Sequence, residues 1–369
     1  MKIALVVPGG VDRSGEYRVI PALLALMQRL ARSHEVQVFA LAQEERPDSW
    51  DLAGARVHNI GRGHTRWHAL RTIFAEHRRA PFDVVQSIWS GSCGLIAVAA
   101  ARALRIPGLV HVAGGEVVAL PEIGYGGSLR FRSRVREALV LRGAHQVTAA
   151  TPAMIAALER CGITATRLPL GVDLTVWPAR APLRRDPKAP ARLVHVGSIN
   201  RVKDQTTLLR ALAALAASGT RFEMDLVGED TLGGELQALA GQLGLGERVR
   251  FRGFLTQGQL RPLVQAAHLM VISSRHEAGP LAVLEAAAVG VPTVGTAVGH
   301  VAEWAPTAAL AVPVGNHAAL AHALGEVLGD EERRLHLARE AAARAVREDA
   351  DHTARAFQAM YATLVPRRG

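Results

Sequence analysis

Residues 273–300 read SSRHEAGPLAVLEAAAVGVPTVGTAVGH, and this stretch decides the fold. An apolar strand ends near Ser273. Pro280 sits where a helix would start, since proline at the first helical position gives up no intrahelical bond and already has a helical φ. Gly290 stops that helix and Pro292 prevents its return, so the helix is expected over Pro280 to Val289. Pro292 to Gly295 then forms the next strand. A strand, a helix and a strand in quick succession belong to a parallel sheet.

The same alternation runs outward in both directions. Upstream strands are expected at Arg192 to Val196, Arg221 to Val227, Arg248 to Arg252 and Leu269 to Ser273. An earlier series comprises Lys2 to Val7, Glu35 to Ala40, Asp83 to Ile88, Gly108 to Val112 and Gln146 to Ala149. After the first strand, Ile20, Leu23, Leu24, Met27 and Leu30 recur at helical spacing and give one buried face. Between the two series lies GVDLTVWPARAPLRRDPKAPA, residues 171–191, with Pro178, Pro182, Pro187 and Pro190 and no periodicity, which reads as an interdomain linker. The fold class is therefore α/β, with two Rossmann-like doubly wound domains, 1–178 and 179–349, facing each other across a cleft. The tail from Asp330 to Leu364 is helical, and its last part, about 350–369, is expected to pack back on the first domain. Ligands of such sheets bind beyond the carboxyl ends of the strands, which points to the loops after Val7, Val112, Val196, Val227 and Ile272.

Composition narrows the function. A chain of 369 residues suits two domains, and 49% hydrophobic with 21% charged residues excludes a disordered or fibrous protein. Two cysteines, Cys93 and Cys161, form neither a disulfide framework nor a zinc cluster, which suits a reducing cytoplasm. The opening MKIALVVPGG is too short for a signal peptide, and Leu281 to Gly299, interrupted by Glu285, Gly290 and Pro292, is no membrane span. The formal net charge is +10, and all but Lys2, Lys188 and Lys203 of the 43 basic side chains are arginines. That excess reads either as a coding bias or as a preference for anionic partners. Nucleic acid is not expected, because only 4% of residues are aromatic and little is left for base stacking. A nicotinamide cofactor is not expected either, since the first loop lacks a G-x-G-x-x-G run.

Two loops could carry chemistry. Beyond Ser273, the free N–H groups of Leu281 and Ala282 open a helix, and Gly279 lets a ligand approach the backbone closely, as at phosphate sites. Glu277 lies just outside that helix and Glu285 about 7.5 Å further along its axis. Two carboxylates beside a phosphate would repel it, so they are better read as acceptors for hydroxyl groups on either side of it, such as ribose and sugar. The bland alternative makes Glu277 a helix-dipole partner and Glu285 a solvated side chain. The second loop follows Val196: Gly197 opens it, and Asp204 is a plausible N-cap for a helix with Leu208, Leu209, Leu212 and Leu215 inward. Lys203 stands beside that helix start, either as a phosphate-binding side chain or simply as a solvated one.

The pair Glu277 and Glu285, with seven residues between them and followed by EAAAVGVPTVGTAVG, resembles the EX7E donor-site signature of family 4 retaining glycosyltransferases, which have the GT-B fold. The resemblance extends over nearly the whole chain: LPLGVDLTVWP at 168–178, VGSINRVKD at 196–204, LVGEDTLGGELQALAGQLGL at 226–245 and VRFRGFL at 249–255. It implies transfer of a sugar from a nucleotide-diphosphate sugar to an acceptor hydroxyl, with retention at the anomeric carbon and no bound metal or other cofactor. It further implies that Glu285 binds the ribose, and that Glu277, with Gly279, Pro280, Leu281 and Ala282, holds the donor sugar. Lys203 would neutralise the diphosphate, and Gly9 and Gly10 would approach the phosphates. Cell-surface polysaccharide or glycoconjugate synthesis is the setting such a resemblance suggests.

Three positions depart from the family pattern. Ser198 stands where an arginine is common, leaving Arg201 as a candidate for the same phosphate. The acidic loop reads Glu277-Ala278-Gly279 rather than Glu-Gly-Phe. The first domain offers HVAGGEVV in place of a His-Gly pair, so His111 is either an acceptor-site residue or a satisfied strand histidine. Gly114, Gly115 and Tyr125 are the other acceptor candidates, and Glu116 joins Glu277 and Lys203 as a catalytic one. These departures leave a second reading, a nucleotide-sugar-binding protein without turnover. The acceptor could be lipid-linked or a saccharide. Leu120 to Gly143, with Arg130, Arg132, Arg134, Arg136 and Arg142, could recognise a phosphorylated or lipid-linked one. Thr65 to Arg79 is expected to form a helix with Trp67, Leu70, Ile73 and Phe74 on one side. It could rest on the inner face of an acidic membrane, or be an ordinary Arg-rich solvated face.

Overall fold

In the computed structural model of the chain, residues 1–365 are described. The chain divides into two compact units, Met1–Gly171 with Ala350–Gly369, and Val172–Asp349.

The first unit runs β1 (Lys2–Val7), α1 (Pro21–Leu30), β2 (Glu35–Ala40), β3 (Asp48–Leu52), β4 (Ala55–Asn59), α2 (Thr65–Arg79), β5 (Val84–Ile88), α3 (Gly91–Leu104), β6 (Gly108–Val112), α4 (Phe131–Gly143), β7 (Gln146–Ala149), α5 (Pro152–Arg160) and β8 (Thr166–Arg167). Its eight-stranded sheet has the order β3-β4-β2-β1-β5-β6-β7-β8. All pairs are parallel except the β3–β4 hairpin at one edge. Every residue of β1 is buried, as the unbroken apolar run KIALVV requires of a strand covered on both faces. One layer of core joins β1 to α1, the other to α3.

The second unit runs β9 (Ala191–Val196), α6 (Gln205–Ala217), β10 (Phe222–Val227), α7 (Glu235–Gln242), β11 (Val249–Gly253), α8 (Gln257–Ala266), β12 (Leu269–Ile272), α9 (Leu281–Ala288), β13 (Thr293–Thr296), α10 (Gly299–Trp304), β14 (Ala309–Val312), α11 (His317–Gly329) and α12 (Glu331–Arg347). Its sheet, β11-β10-β9-β12-β13-β14, is parallel throughout. The order reverses beside β9 and β12, and the loops after those two strands carry Lys203 and Glu277.

Several expectations are corrected. Residues 172–178 belong to the second unit rather than the first: Val172 and Trp177 are buried in its core. Buried Arg334 on α12 donates to the Leu183 and His268 carbonyls, which ties the proline-rich segment down. The helix expected over Pro280 to Val289 is α9, with Pro280 outside it: its ψ of 111° is extended, so it serves as the N-cap. The helical tail joins the first unit in its last part, as expected. It breaks at Glu348 and Asp349, and the part that joins is α13 (Ala350–Leu364). There Phe357 and Tyr361 are buried, Tyr361 donates to Gln86, and Arg29 on α1 pairs with Asp351 at 3.1 Å. Burying two such aromatics contributes roughly 2–3 kcal/mol each. Residues 366–369, the end of the expected helix, lie outside the described residues. On α2, Trp67 is not part of the buried stripe: it is 60% exposed under the Arg71 guanidinium, while Ala69 and Ile73 face inward.

Candidate active site

In the second unit, the β9–α6 loop is held from below. His195, at the end of β9, donates through Nδ1 to the Val271 carbonyl at 2.9 Å, which leaves Nε2 to accept from Gln205 at 3.2 Å. The same Gln205 amide reaches the Ser198 carbonyl at 3.0 Å, fixing the loop to the helix it precedes. Burial lowers the His195 pKa to about 4, so it stays neutral. Asp204 caps α6 from a left-handed backbone (φ 48°), accepting from the Thr207 amide and hydroxyl. It also pairs with Arg275 at 3.1 Å. Gly228 explains how the neighbouring loop comes so near: a Cβ there would lie 2.1 Å from the Gly197 carbonyl oxygen.

This frame aims Lys203 at Glu277. Lys203 Nζ donates to Glu277 Oε1 at 2.6 Å, and the Ser274 hydroxyl donates to the same oxygen at 2.6 Å. Burial alone would raise the Glu277 carboxyl; Lys203 beside it outweighs that and holds it below the usual carboxylate range. Gly299 gives the Glu277–Pro280 loop its room, since a Cβ at that position would lie 2.6 Å from Pro280 and 2.9 Å from the Glu277 side chain.

Glu285 lies on α9 in a different environment. It is 5% exposed, accepts from Gln257 Nε2 at 3.2 Å, and burial pushes its pKa up to about 7. Trp177 Nε1 donates to Gln257 Oε1 at 2.7 Å, so the tryptophan orients the amide that meets the carboxylate. The reading of Glu285 as a solvated residue is thereby excluded. Gln257 and Trp177 were not singled out as site residues in the sequence; the only signal was Trp177 within LPLGVDLTVWP. Of the remaining donor candidates, Gly279, Leu281 and Ala282 are half-buried and Pro280 is buried, while Ser198 and Arg201 are exposed. Among the described residues Arg201 has no partner.

The first unit disposes its candidates differently. The Gly10 and Val11 amides donate to Gln43 Oε1 at 2.7 and 3.0 Å, so the amide of Gly10 is already taken and the loop at Gly9 and Gly10 is closed on a side chain of its own unit. His111 is fully buried in β6, with Nδ1 2.9 Å from the Thr148 hydroxyl and Phe357 edge-on to its ring at 6.0 Å. Burial lowers its pKa to about 4. It is a buried strand histidine whose Nε2 has no hydrogen-bond partner among the described residues. Glu116, the catalytic candidate of this unit, is held by backbone: its carboxylate accepts the amides of Ser90, Ala113 and Gly114, at 3.2, 3.4 and 2.7 Å. Burial raises its pKa despite those amides. It closes the β6–α4 loop onto the start of α3. Gly115 lies under the Tyr125 ring, where a Cβ would come within 2.6 Å.

Comparison with known proteins identifies this arrangement. The family described as glycosyl transferases group 1 matches residues 182–344, and the glycosyl transferase 4-like domain matches residues 19–171. Between them these two glycosyltransferase models span most of the chain, which is a glycosyltransferase. The D-inositol 3-phosphate glycosyltransferase of Xylanimonas cellulosilytica is 30% identical over 256 residues, 61% of this chain and 60% of that protein. Among solved structures, sucrose-phosphate synthase from Thermosynechococcus elongatus superposes with a TM-score of 0.82 at 20% identity, over 99% of each chain. HepE of Anabaena in complex with UDP-glucose superposes with a TM-score of 0.77 at 19% identity, over 99% of this chain and 100% of that one. These likenesses establish the GT-B fold for this glycosyltransferase. No helix among its described residues is long and apolar enough to cross a membrane.

Proposed function

We propose that this glycosyltransferase binds a nucleoside-diphosphate sugar in its second unit and transfers the sugar to an acceptor hydroxyl with retention of anomeric configuration, in cell-surface polysaccharide or glycoconjugate synthesis. The observation that carries the reading is the Lys203–Glu277 ion pair at 2.6 Å, set between the loops after β9 and β12 and beside the opening amides of α9. An ammonium held there meets negative charge as it develops on a leaving diphosphate. The amides of Leu281 and Ala282 add positive dipoles, and exposed Arg201 adds a second cation. Glu277, kept ionised, accepts from sugar hydroxyls, and Glu285 accepts from the ribose. Gly279 leaves space for the sugar. That HepE is named with UDP-glucose supports a nucleotide sugar as the donor class.

On this reading the diphosphate is met by Lys203, Arg201 and the opening amides of α9 rather than by a metal ion. Retention does not require two carboxylates at glycosidase spacing, since the departing phosphate can take the acceptor proton on the same face. On the acceptor side, the loop around Gly114, Gly115 and Tyr125 contributes shape rather than charge.

The test is turnover. The protein is incubated with a panel of nucleoside-diphosphate sugars and lipid-linked, saccharide and small hydroxyl acceptors, and the product anomer is read by NMR. Release of nucleoside diphosphate with the donor's own anomeric configuration in the product supports the reading. Inversion, or nucleotide bound without turnover of any pair, contradicts it.

A further inference from the structure

Helix α4 presents apolar side chains to solvent. Phe131 is 69% exposed and Leu139 is 65% exposed, with Val135 exposed between them. Positions i, i+4 and i+8 fall on one face, so these three form a single stripe, with exposed Leu129 just before it. Scattered exposed apolar residues are ordinary; a contiguous stripe is not. The inner face of the helix is conventional, with Val140 and Leu141 buried.

A groove of about 570 Å³ lies between α3 and α4, lined by Leu95, Val98, Ala99, Val135 and Leu139 among others. It shares Arg102, Arg142 and Gly143 with a second hollow of about 590 Å³, where Arg105 and His145 join them. No carboxylate lines either one. Glu137, the one carboxylate on α4, is buried and taken by Ser90 and Arg136. Exposed Arg130, Arg132 and Arg134 flank the stripe, with the Arg134 guanidinium 5.8 Å from the Phe131 ring centre.

The charge decides the occupant. A second copy of this face would bring the same uncompensated arginines against themselves. A nucleic acid would leave the apolar stripe in water. An anionic bilayer satisfies both parts at once: acyl chains cover the stripe and phosphates meet the arginines. We propose that the α3–α4 face of the first unit docks on a membrane rich in acidic phospholipid, with Phe131, Val135 and Leu139 in the acyl boundary and Arg102, Arg105 and Arg142 on lipid phosphates. The expectation that α2 serves this purpose is replaced: its exposed apolar content is Trp67 alone. This inference is independent of the donor site, so its failure leaves nucleotide binding untouched.

The experiment is co-sedimentation of the full chain with vesicles of phosphatidylcholine alone and of an equal mixture with phosphatidylglycerol. The wild type sediments with the mixture and not with phosphatidylcholine. Phe131→Ser with Leu139→Ser, and Arg102→Gln with Arg142→Gln, each reduce partitioning by about tenfold or more, with unchanged thermal unfolding because all four side chains are exposed. Three results overturn the proposal. One is no sedimentation with the anionic vesicles. Another is sedimentation that survives both double variants but is lost when Arg66, Arg71 and Arg78 of α2 become glutamine. The third is a dimer in sedimentation velocity that Phe131→Ser with Leu139→Ser dissolves, which would make the face a self-interface.

Discussion

Each unit of this glycosyltransferase places a carboxylate in a loop that follows a parallel strand, and the two carboxylates are satisfied in opposite ways. Glu277 is answered by side chains, the Lys203 ammonium and the Ser274 hydroxyl. Glu116 is answered by the backbone, three amides drawn from two loops. A side-chain partner can turn toward a ligand without disturbing the fold. Backbone amides cannot be released without opening the loops that carry them. On the proposed reading the same residue type is an exchangeable binding group in one unit and a structural clamp in the other.

The contrast is broken most severely at Lys203. Lys203→Ala should lower kcat by about 100- to 1,000-fold, the usual loss when a donor to developing charge is removed, with some loss of stability because the buried Glu277 carboxylate loses its cation. Equal activity in the variant would mean that Glu277 and Lys203 are only an ion pair. Glu116→Ala should act on the fold instead and destabilise it by about 3 kcal/mol in denaturant titration, because three amides lose their acceptor. A loss under about 0.5 kcal/mol would show that water replaces the carboxylate and that the clamp is not structural.

Glu285 sharpens the comparison through pH. Its folded pKa near 7 lies above its ordinary value of 4.5, so the folded chain keeps a proton that the unfolded chain has released. Glu285 should subtract about 3 kcal/mol of stability as pH rises between those two values. The loss is read as the difference between the wild type and Glu285→Gln, because buried His111 and His195 titrate in the opposite sense over the same range. Ribose hydroxyls donate to the ionised form, so nucleotide affinity should rise about tenfold from pH 6 to pH 8. A flat binding profile would place the ribose elsewhere. The smallest effect belongs to Trp67→Ala, expected to change stability by less than about 0.5 kcal/mol because the ring is mostly in water.

The parallel strands were legible because buried strands read as continuous apolar runs, and β1, β2, β6 and β7 fall where the sequence places them. The β3–β4 hairpin was not, since DSWDLAGARVHN is an edge segment with polar residues on its open side. Strand β14, ALAV, lies in an alanine-rich run that looks helical. At the site, Glu285 could be read because it interrupts an apolar run, Glu277 from its spacing to Glu285, and Lys203 as a rare lysine beside a helix start. Gln257 and Gln43 could not: a neutral amide carries no motif, and its importance arises only from what the fold brings against it. Trp67 shows the limit of helical spacing, which says which residues share a face but not how far a core extends beneath it.

The central claim, that the Lys203–Glu277 and Glu285 loops of the second unit hold the nucleotide of the donor, is tested most directly by calorimetric titration. UDP, GDP, ADP and CMP are titrated into the wild type and into Glu285→Gln, with thermal unfolding of both as a control on folding. The account predicts that one nucleoside diphosphate binds the wild type and that its binding is lost in a variant that remains folded. Absence of binding by all four nucleotides, or equal binding to both proteins, would contradict it.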